Sequence, residues 1–292
     1  MNGVININKE QGFTSFDVVA KLRGICHQKK IGHTGTLDPD ATGVLPVCIG
    51  NATALCDMLT DKTKEYETVM RLGITTDTQD VSGTVIEEKD VNLTEADVVS
   101  CIGKFTGDIE QIPPMYSAIK VGGKKLYELA REGKTIERKS RPVSIHSIEI
   151  ISMDLPRVSM RISCSKGTYI RTLCNDIGAS LGCGACMESL KRTRSGLFEI
   201  KDAVKLSAVQ QWADDGSLEE HLISVEDMFS DCPVIRVTPE EDKLLHNGNT
   251  LKARPDGTSQ RYRVYDSQGV FYGVYNYDTK RKILKPYKMF IP

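Results

Sequence analysis

The stretch GHTGTLDPDATGVLPVCIG, Gly32 to Gly50, constrains this chain more than any other. It is a loop with glycines at 32, 35 and 43 and an Asp38-Pro39 step, and it runs straight into an apolar strand, Val44 to Ile49. Glycine admits backbone angles closed to other residues. Proline fixes its own φ and biases the residue before it away from the helical region. A loop built this way holds few shapes, and it presents the Asp38 carboxylate with little freedom at the mouth of a buried strand. That is a placement suited to chemistry in a cleft.

The surrounding pattern is α+β. Val4 to Ile7 reads as a strand. Thr14 with Asp17 reads as a capping box opening a helix, on which Phe16, Val19, Leu22 and Ile25 recur at helical spacing. Glu65 to Leu72 is a further strand, and Thr94 with Asp97 starts a helix. Pro113-Pro114 is a break, and Leu126 to Arg131 is a short basic helix. Val143 to Met153 and Arg157 to Cys164 form paired strands around a turn at Leu155-Pro156. Ile170, Leu173, Cys174, Ile177 and Leu181 make one apolar helical stripe that Gly182 ends. Strands and helices alternate without βαβ regularity, so the sheet is expected to be mixed and flanked by helices. The acidic run around Asp214-Asp215-Gly216 reads as a linker or surface region. Beyond it, Val234 to Val237, a Thr238-capped helix ending at Gly248, and strands at Tyr262 to Asp266 and Val270 to Tyr277 suggest a small β-barrel-like module. The expected division is 1–230 and 231–292.

At 292 residues and a formal net charge of -1, the chain gives no global sign of a nucleic-acid partner. The charge is segregated, however. Tyr116 to Arg141 carries eight Lys or Arg against three Glu, and Cys232 to Pro292 carries eleven against six acids. Asp77 to Glu110 holds nine acids and two lysines, and Asp202 to Asp231 holds eight and one. A nearly neutral protein arranged this way can still offer a basic face to phosphate. Nine cysteines, an odd number scattered from Cys26 to Cys232, suit reduced thiols in a cytosol better than a disulfide framework. No run reaches the apolar length of a membrane span, and Met1-Asn2-Gly3-Val4 has no signal-peptide character, so a cytoplasmic location is expected. Cys183-Gly184-Ala185-Cys186 has no second pair or nearby His to complete a zinc site.

The Gly32 loop fills every fixed position of G-H-T-G-x-L-D-P-x-A-T-G, the motif of the bacterial tRNA pseudouridine-55 synthases, and the chain resembles that family along most of its length. INKEQGFTSFDVV from Ile7, DKTKEYETVMRLGITTDTQDVSG from Asp61 and IPPMYSAIKVGGKKLYELAREG from Ile112 match in the same order. SCSKGTYIRTLCNDIG from Ser163 and SLKRTRSGLF from Ser189 follow, as do RVYDSQGVFYGVYNYD from Arg263 and LKPYKMF from Leu284, which resemble a PUA domain. Cys186 stands where relatives commonly carry a histidine.

The resemblance implies that a T-loop uridine of tRNA is flipped out and isomerised to pseudouridine, without metal, cofactor or guide RNA, by a monomer. It makes Asp38 the catalytic aspartate and Arg171 its guanidinium partner, expected to grip the carboxylate in a bidentate way. Asp38 attacks C1' or C6, or removes a proton to give a glycal; the sequence leaves the three open. Tyr66 matches the active-site tyrosine, whose ring can stack on uracil and whose hydroxyl is a candidate for taking the C5 proton, although by composition it serves equally as a strand Tyr paired across the sheet. His33, Tyr169 and Leu190 match residues around the flipped base, and Tyr169 and Leu190 serve equally well as plain core. Lys9 either supports the site or touches phosphate. Lys120, Lys124 and Lys125, in a segment that closes over the T-arm in related proteins, would supply phosphate contacts that offset the few kcal/mol of base flipping. The C-terminal module would contact the acceptor end. Guide-dependent box H/ACA synthases share the motif but carry longer N-terminal extensions, whereas the first motif here starts by Ile7, so a stand-alone enzyme is expected. A tRNA-folding chaperone activity is compatible with the same residues.

Overall fold

A computed structural model describes residues 1–60, 62–252 and 259–290. Asp61, where one of the motifs begins, and residues 253–258 and 291–292 of the expected C-terminal module lie outside the described residues. The chain opens with strand β1 (Gly3–Lys9), helix α1 (Ser15–Ile25) and the short β2 (Ile31–His33), then β3 (Thr42–Ile49), α2 (Cys56–Thr60) and β4 (Lys64–Leu72). The hairpin β5 (Ile74–Thr76) and β6 (Val85–Glu88), helix α3 (Glu95–Gly103) and β7 (Gly107–Gln111) follow. A small hairpin of β8 (Lys120–Val121) and β9 (Lys124–Lys125) leads into α4 (Leu126–Arg131). Next come β10 (Arg141–Asp154), β11 (Arg157–Cys164), α5 (Ile170–Leu181), β12 (Ala185–Ser195), β13 (Phe198–Glu199) and α6 (Leu206–Asp214). The C-terminal part holds β14 (Val234–Arg236), α7 (Pro239–His246), β15 (Leu251–Lys252), β16 (Arg261–Tyr265), β17 (Phe271–Asp278) and β18 (Ile283–Met289).

The large sheet runs in the order β1-β3-β12-β4-β11-β10-β7, with β2 paired to β3 and β13 to β12. Among the described residues the one parallel pairing between its strands is β3 with β12, where Lys191 faces Thr42 and Arg192 faces Gly43. The sheet is therefore mixed but largely antiparallel, as the sequence suggested. Strand β4 alternates cleanly: Lys64, Tyr66, Thr68, Met70 and Leu72 are buried, and the residues between them are half-exposed. Its buried face meets the apolar stripe of α5, with Ile170, Leu173, Cys174 and Ile177 all enclosed. Burying each such side chain contributes roughly 1.5–3 kcal/mol. Gly178 lets α5 approach β12, since a Cβ there would lie 2.1 Å from the backbone nitrogen of Ala185.

One expectation is corrected and another narrowed. On α1 the buried face is Ser15, Val18, Val19 and Leu22, and Phe16 is 62% exposed. At about 100° per residue, Phe16 lies roughly a third of a turn off that stripe. Of the two readings of the acidic run near Asp214, a linker or a surface region, the structure holds the surface region, with Asp214 and Asp215 exposed. Val209 and Leu218 are buried against α1, and residues 204 and 223 hydrogen-bond to the edge of β1 (Val204 N to Asn6 O 2.9 Å, Ile223 N to Val4 O 2.9 Å). The acids occupy the outward positions of a segment whose apolar residues pack.

The second sheet, β14-β16-β17-β18-β15, has its own core of Val237, Leu245, Tyr262, Val264, Tyr275 and Leu284. It is docked onto the first unit through a shared cluster in which Val274, Phe290 and Cys232 meet Val4, Val44 and Cys48.

Candidate active site

The loop between β2 and β3 that carries Asp38 is held from three sides. Ser15, at the start of α1, accepts the Leu37 N–H at 2.9 Å through its hydroxyl, one residue before Asp38. Lys9 at the end of β1 is fully enclosed and donates to the carbonyls of Phe13, Pro39 and Glu10 at 2.5, 3.0 and 3.1 Å. Of the two roles left open for Lys9, this geometry is that of a support: its ammonium is spent on the loop backbone and is not presented to phosphate. Burial pulls its pKa down to about 8, against the attraction of Asp38 and Asp40. The third hold is Arg192 on β12, which is 1% exposed and donates from Nε to Val44 O at 2.7 Å and from Nη1 to Thr36 O at 3.4 Å.

Asp38 meets Arg171 at the first turn of α5, with Nε 3.1 Å from Oδ2. The expected bidentate grip is not what the structure holds. Arg171 spreads its donors instead: Nη1 to Thr78 O at 3.1 Å and to Asp80 Oδ2 at 3.4 Å, and Nη2 to Tyr116 O at 2.9 Å. A guanidinium fixed by three other acceptors has one edge left, and Asp38 takes it. The Arg171 side chain is 7% exposed and that of Asp38 is 41% exposed, so the guanidinium is enclosed while part of the carboxylate meets solvent. Burial pushes the Asp38 carboxyl above its ordinary value; Arg171 works against that and Asp80 adds to it.

Tyr66 shares the core cluster with Leu37 and Ala41 of the loop, and Leu190 packs partly buried against the same cluster. Burial raises the pKa of the Tyr66 phenol while Arg192 opposes the shift, so the side chain is a neutral phenol at neutral pH. Tyr169 caps α5 and is half-buried, its backbone N–H and carbonyl both tied to the Gln111 amide (2.8 and 3.0 Å). His33 is half-buried at the end of β2, where Nδ1 accepts the Gly35 N–H at 3.3 Å; burial and the Arg192 charge hold its pKa below the usual value. It is a neutral imidazole, suited to hydrogen bonding or stacking. The basic residues lie elsewhere. Lys120 and Lys124 are exposed on the β8–β9 hairpin, Lys124 pairs with Glu132 at 3.2 Å, and Lys125 Nζ reaches the Tyr127 hydroxyl at 3.2 Å. Cys183 and Cys186 are both buried.

Sequence reasoning missed Asp80, Arg192 and Gln111. Asp80 sits in the TTDTQDVSG run, and nothing local marks it as the partner of a residue 91 positions away.

Residues 23–170 match the family pattern described as TruB family pseudouridylate synthase (N terminal domain). The chain belongs to the TruB family of pseudouridylate synthases. Residues 171–230 match the pattern for the tRNA pseudouridylate synthase B C-terminal domain. Among curated relatives, the TruB-family chain is 52% identical over 307 aligned residues to "tRNA pseudouridine synthase B" of Lachnoclostridium phytofermentans, with 100% of both chains covered. It is 44% identical over 290 residues to the protein of that name from Clostridium kluyveri, covering 98% of this chain and 99% of the other. Among solved structures, a chain of the archaeal box H/ACA sRNP Nop10-Cbf5 complex superposes with a TM-score of 0.71 at 26% identity, over 99% of this chain and 86% of that one. A chain of an H/ACA RNP bound to a substrate RNA containing 2'-deoxyuridine gives 0.72 at 24% identity, over 99% of this chain and 85% of that one, a likeness of fold. The TruB-family chain is accordingly an isomerase with a pseudouridine synthase fold.

Proposed function

We propose that this isomerase acts on tRNA, converting the T-loop uridine to pseudouridine without a guide RNA, in the cytoplasm and as a monomer. The observation that carries the reading is the Asp38–Arg171 contact, with the carboxylate partly open to solvent, in a TruB-family chain. The reaction breaks the bond between N1 of uracil and C1' of ribose, turns the base, and joins C1' to C5. The proton on C5 leaves and N1 gains one, so the overall change is an isomerisation. Whether Asp38 bonds transiently to C1' or C6, or removes a proton to give a glycal, it must be ionised and fixed in place. Arg171 supplies the charge that favours ionisation, and its other three acceptors supply the fixing.

A neutral Tyr66 phenol favours a stacking surface for the flipped uracil over proton removal. Leu190, packed against the cluster that holds Tyr66, and Tyr169 would border the flipped base, and His33 would offer a neutral ring on the loop side. The segment 116–141 would grip the T-arm backbone, and residues 231–292, as a PUA-like domain distinct from a catalytic domain of residues 1–230, would meet the acceptor end. No helix among the described residues is long and apolar enough to cross a membrane.

The test is tritium release from an unmodified tRNA transcript labelled at uridine C5, with no guide RNA added. Wild type is expected to release one equivalent and Asp38→Asn none. Tight binding by wild type without release would overturn the reading, and release only on addition of a guide RNA would move the chain to the guide-dependent class.

A further inference from the structure

The turn between β5 and β6 meets the start of α5 through three consecutive residues. The Thr78 carbonyl accepts from Arg171 Nη1 at 3.1 Å, and Asp80 Oδ2 lies 3.4 Å from the same nitrogen. Between them, Gln79 Oε1 accepts the hydroxyl of Thr172 at 2.7 Å. This last bond is the shortest of the three, and Thr172 is only 2% exposed. A short bond between neutral groups shielded from water fixes distance and direction more closely than a charge contact at 3.4 Å.

Gln79 holds this place in a backbone conformation that does not suit it. Its φ is +65°, in the left-handed region, where the Cβ of an ordinary residue crowds the following carbonyl oxygen. Gly enters that region without penalty, and Asn does so more readily than Gln. The turn itself is closed by backbone groups. Gln79 N donates to Thr76 O at 3.3 Å, Met187 N to Gln79 O at 3.0 Å and Val81 N to Met187 O at 3.0 Å. None of these bonds uses the glutamine side chain. Asp80 is in turn fixed within the turn, since its Oδ1 accepts the Thr78 and Ser82 hydroxyls at 2.7 and 2.5 Å and the Ser82 N–H at 3.1 Å. The carboxylate therefore goes where the turn goes, and the Gln79–Thr172 bond ties the turn to the residue that follows Arg171.

We propose that Gln79 is a positioning residue for the isomerisation. Its bond to Thr172 sets the Thr78 carbonyl and the Asp80 carboxylate against Arg171, and so sets the guanidinium edge that is left for Asp38. A plain turn would be better served by Gly or Asn. The left-handed Gln, and the reach of its side chain to α5, are what a plain turn leaves unexplained. Gln79 acts through Asp80 and Arg171, and the inference rests on the roles proposed above for Asp38 and Arg171.

The test is a double-mutant cycle on single-turnover tritium release at saturating tRNA, using Gln79→Gly, Asp80→Asn and the pair. Glycine suits the left-handed conformation, so Gln79→Gly keeps the turn and removes only the side chain. Alone it is expected to slow release roughly 3- to 10-fold, the size of one lost hydrogen bond between neutral groups. In the Asp80→Asn background the same change is expected to cost less than about 2-fold, with tRNA affinity altered less than about 2-fold by Gln79→Gly in either background. Thr172→Val should match Gln79→Gly, whereas Thr172→Ser, which keeps the hydroxyl, should stay within about 2-fold of wild type. Wild-type release by Gln79→Gly, equal losses in the two Asp80 backgrounds, or Thr172→Ser as slow as Thr172→Val would each overturn the proposal, as would a loss confined to tRNA affinity. If Gln79→Gly does not fold, Gln79→Asn takes its place, because Asn tolerates the backbone conformation but has the shorter side chain, and the same outcomes decide. Wild type measured alongside separates the two claims: no release by wild type defeats the proposed function, whereas with an active wild type the cycle bears on Gln79 alone.

Discussion

At the scale of single residues, the site is a charge network more than a pair. Arg171 stands between two carboxylates, Asp38 at 3.1 Å and Asp80 at 3.4 Å, and the sequence pointed only to the first. Asp38 is legible because rigid turn residues surround it. Asp80 is not, because its partner arrives from α5, far along the chain. The network sets a pH dependence. Asp38 must be ionised and its pKa is raised, so activity is present above that raised value and lost as pH falls through it. The acid limb of the rate profile is expected above about 3.9, the ordinary value for Asp. Asp80→Asn removes a negative neighbour, so the limb should move to lower pH. The same change replaces the charged acceptor of Arg171 Nη1 by a neutral amide, and the plateau rate should drop roughly tenfold. Rate-pH profiles of tritium release for both proteins check this; superimposable profiles would show that Asp80 has no part in the site.

At the scale of elements, the decisive contact is the parallel crossing of β3 and β12. Gly43 is required there for two separate reasons, its φ of +102° and the 2.2 Å that a Cβ would leave to the Arg192 oxygen. Gly43→Ala must shift backbone in the middle of the sheet, at a cost of about 3 kcal/mol or more. Thermal melting should show Tm lowered by roughly 6–12 °C. A change of under about 2 °C would mean that the crossing is looser than its geometry implies. The helices are largely readable from the sequence. Both capping boxes, Thr14–Asp17 and Thr94–Asp97, form, and the α5 stripe packs on β4. Phe16 falls outside the buried stripe because apolar character alone does not say which side of a helix faces the core.

At the scale of the whole molecule, segregated charge can now be set against position. The β8–β9 hairpin bears exposed Lys120 and Lys124. If these contact phosphate, Lys120→Ala with Lys124→Ala should weaken tRNA binding. The slope of log Kd against log salt should become shallower by about 0.7–0.9 for each phosphate no longer neutralised. An unchanged slope, read by filter binding across a salt series, would place the RNA elsewhere. The acidic stretch after Asp202, linker-like in composition, flanks β1 and α1, since its spaced apolar residues pack while its charges face out.

What the sequence determined by itself was local: the shape of the Asp38 loop, the caps, the strand alternation that buries Tyr66, and the division into a larger and a smaller sheet. Backbone preference and hydrophobic period act over a few residues, and those residues are adjacent in the chain. What only the tertiary structure decided was which groups meet across the fold: Arg171 with Asp80, Lys9 beneath the loop, Arg192 between Gly43 and Tyr66. Those meetings depend on the order of strands in the sheet, and that order follows from the packing of the whole chain.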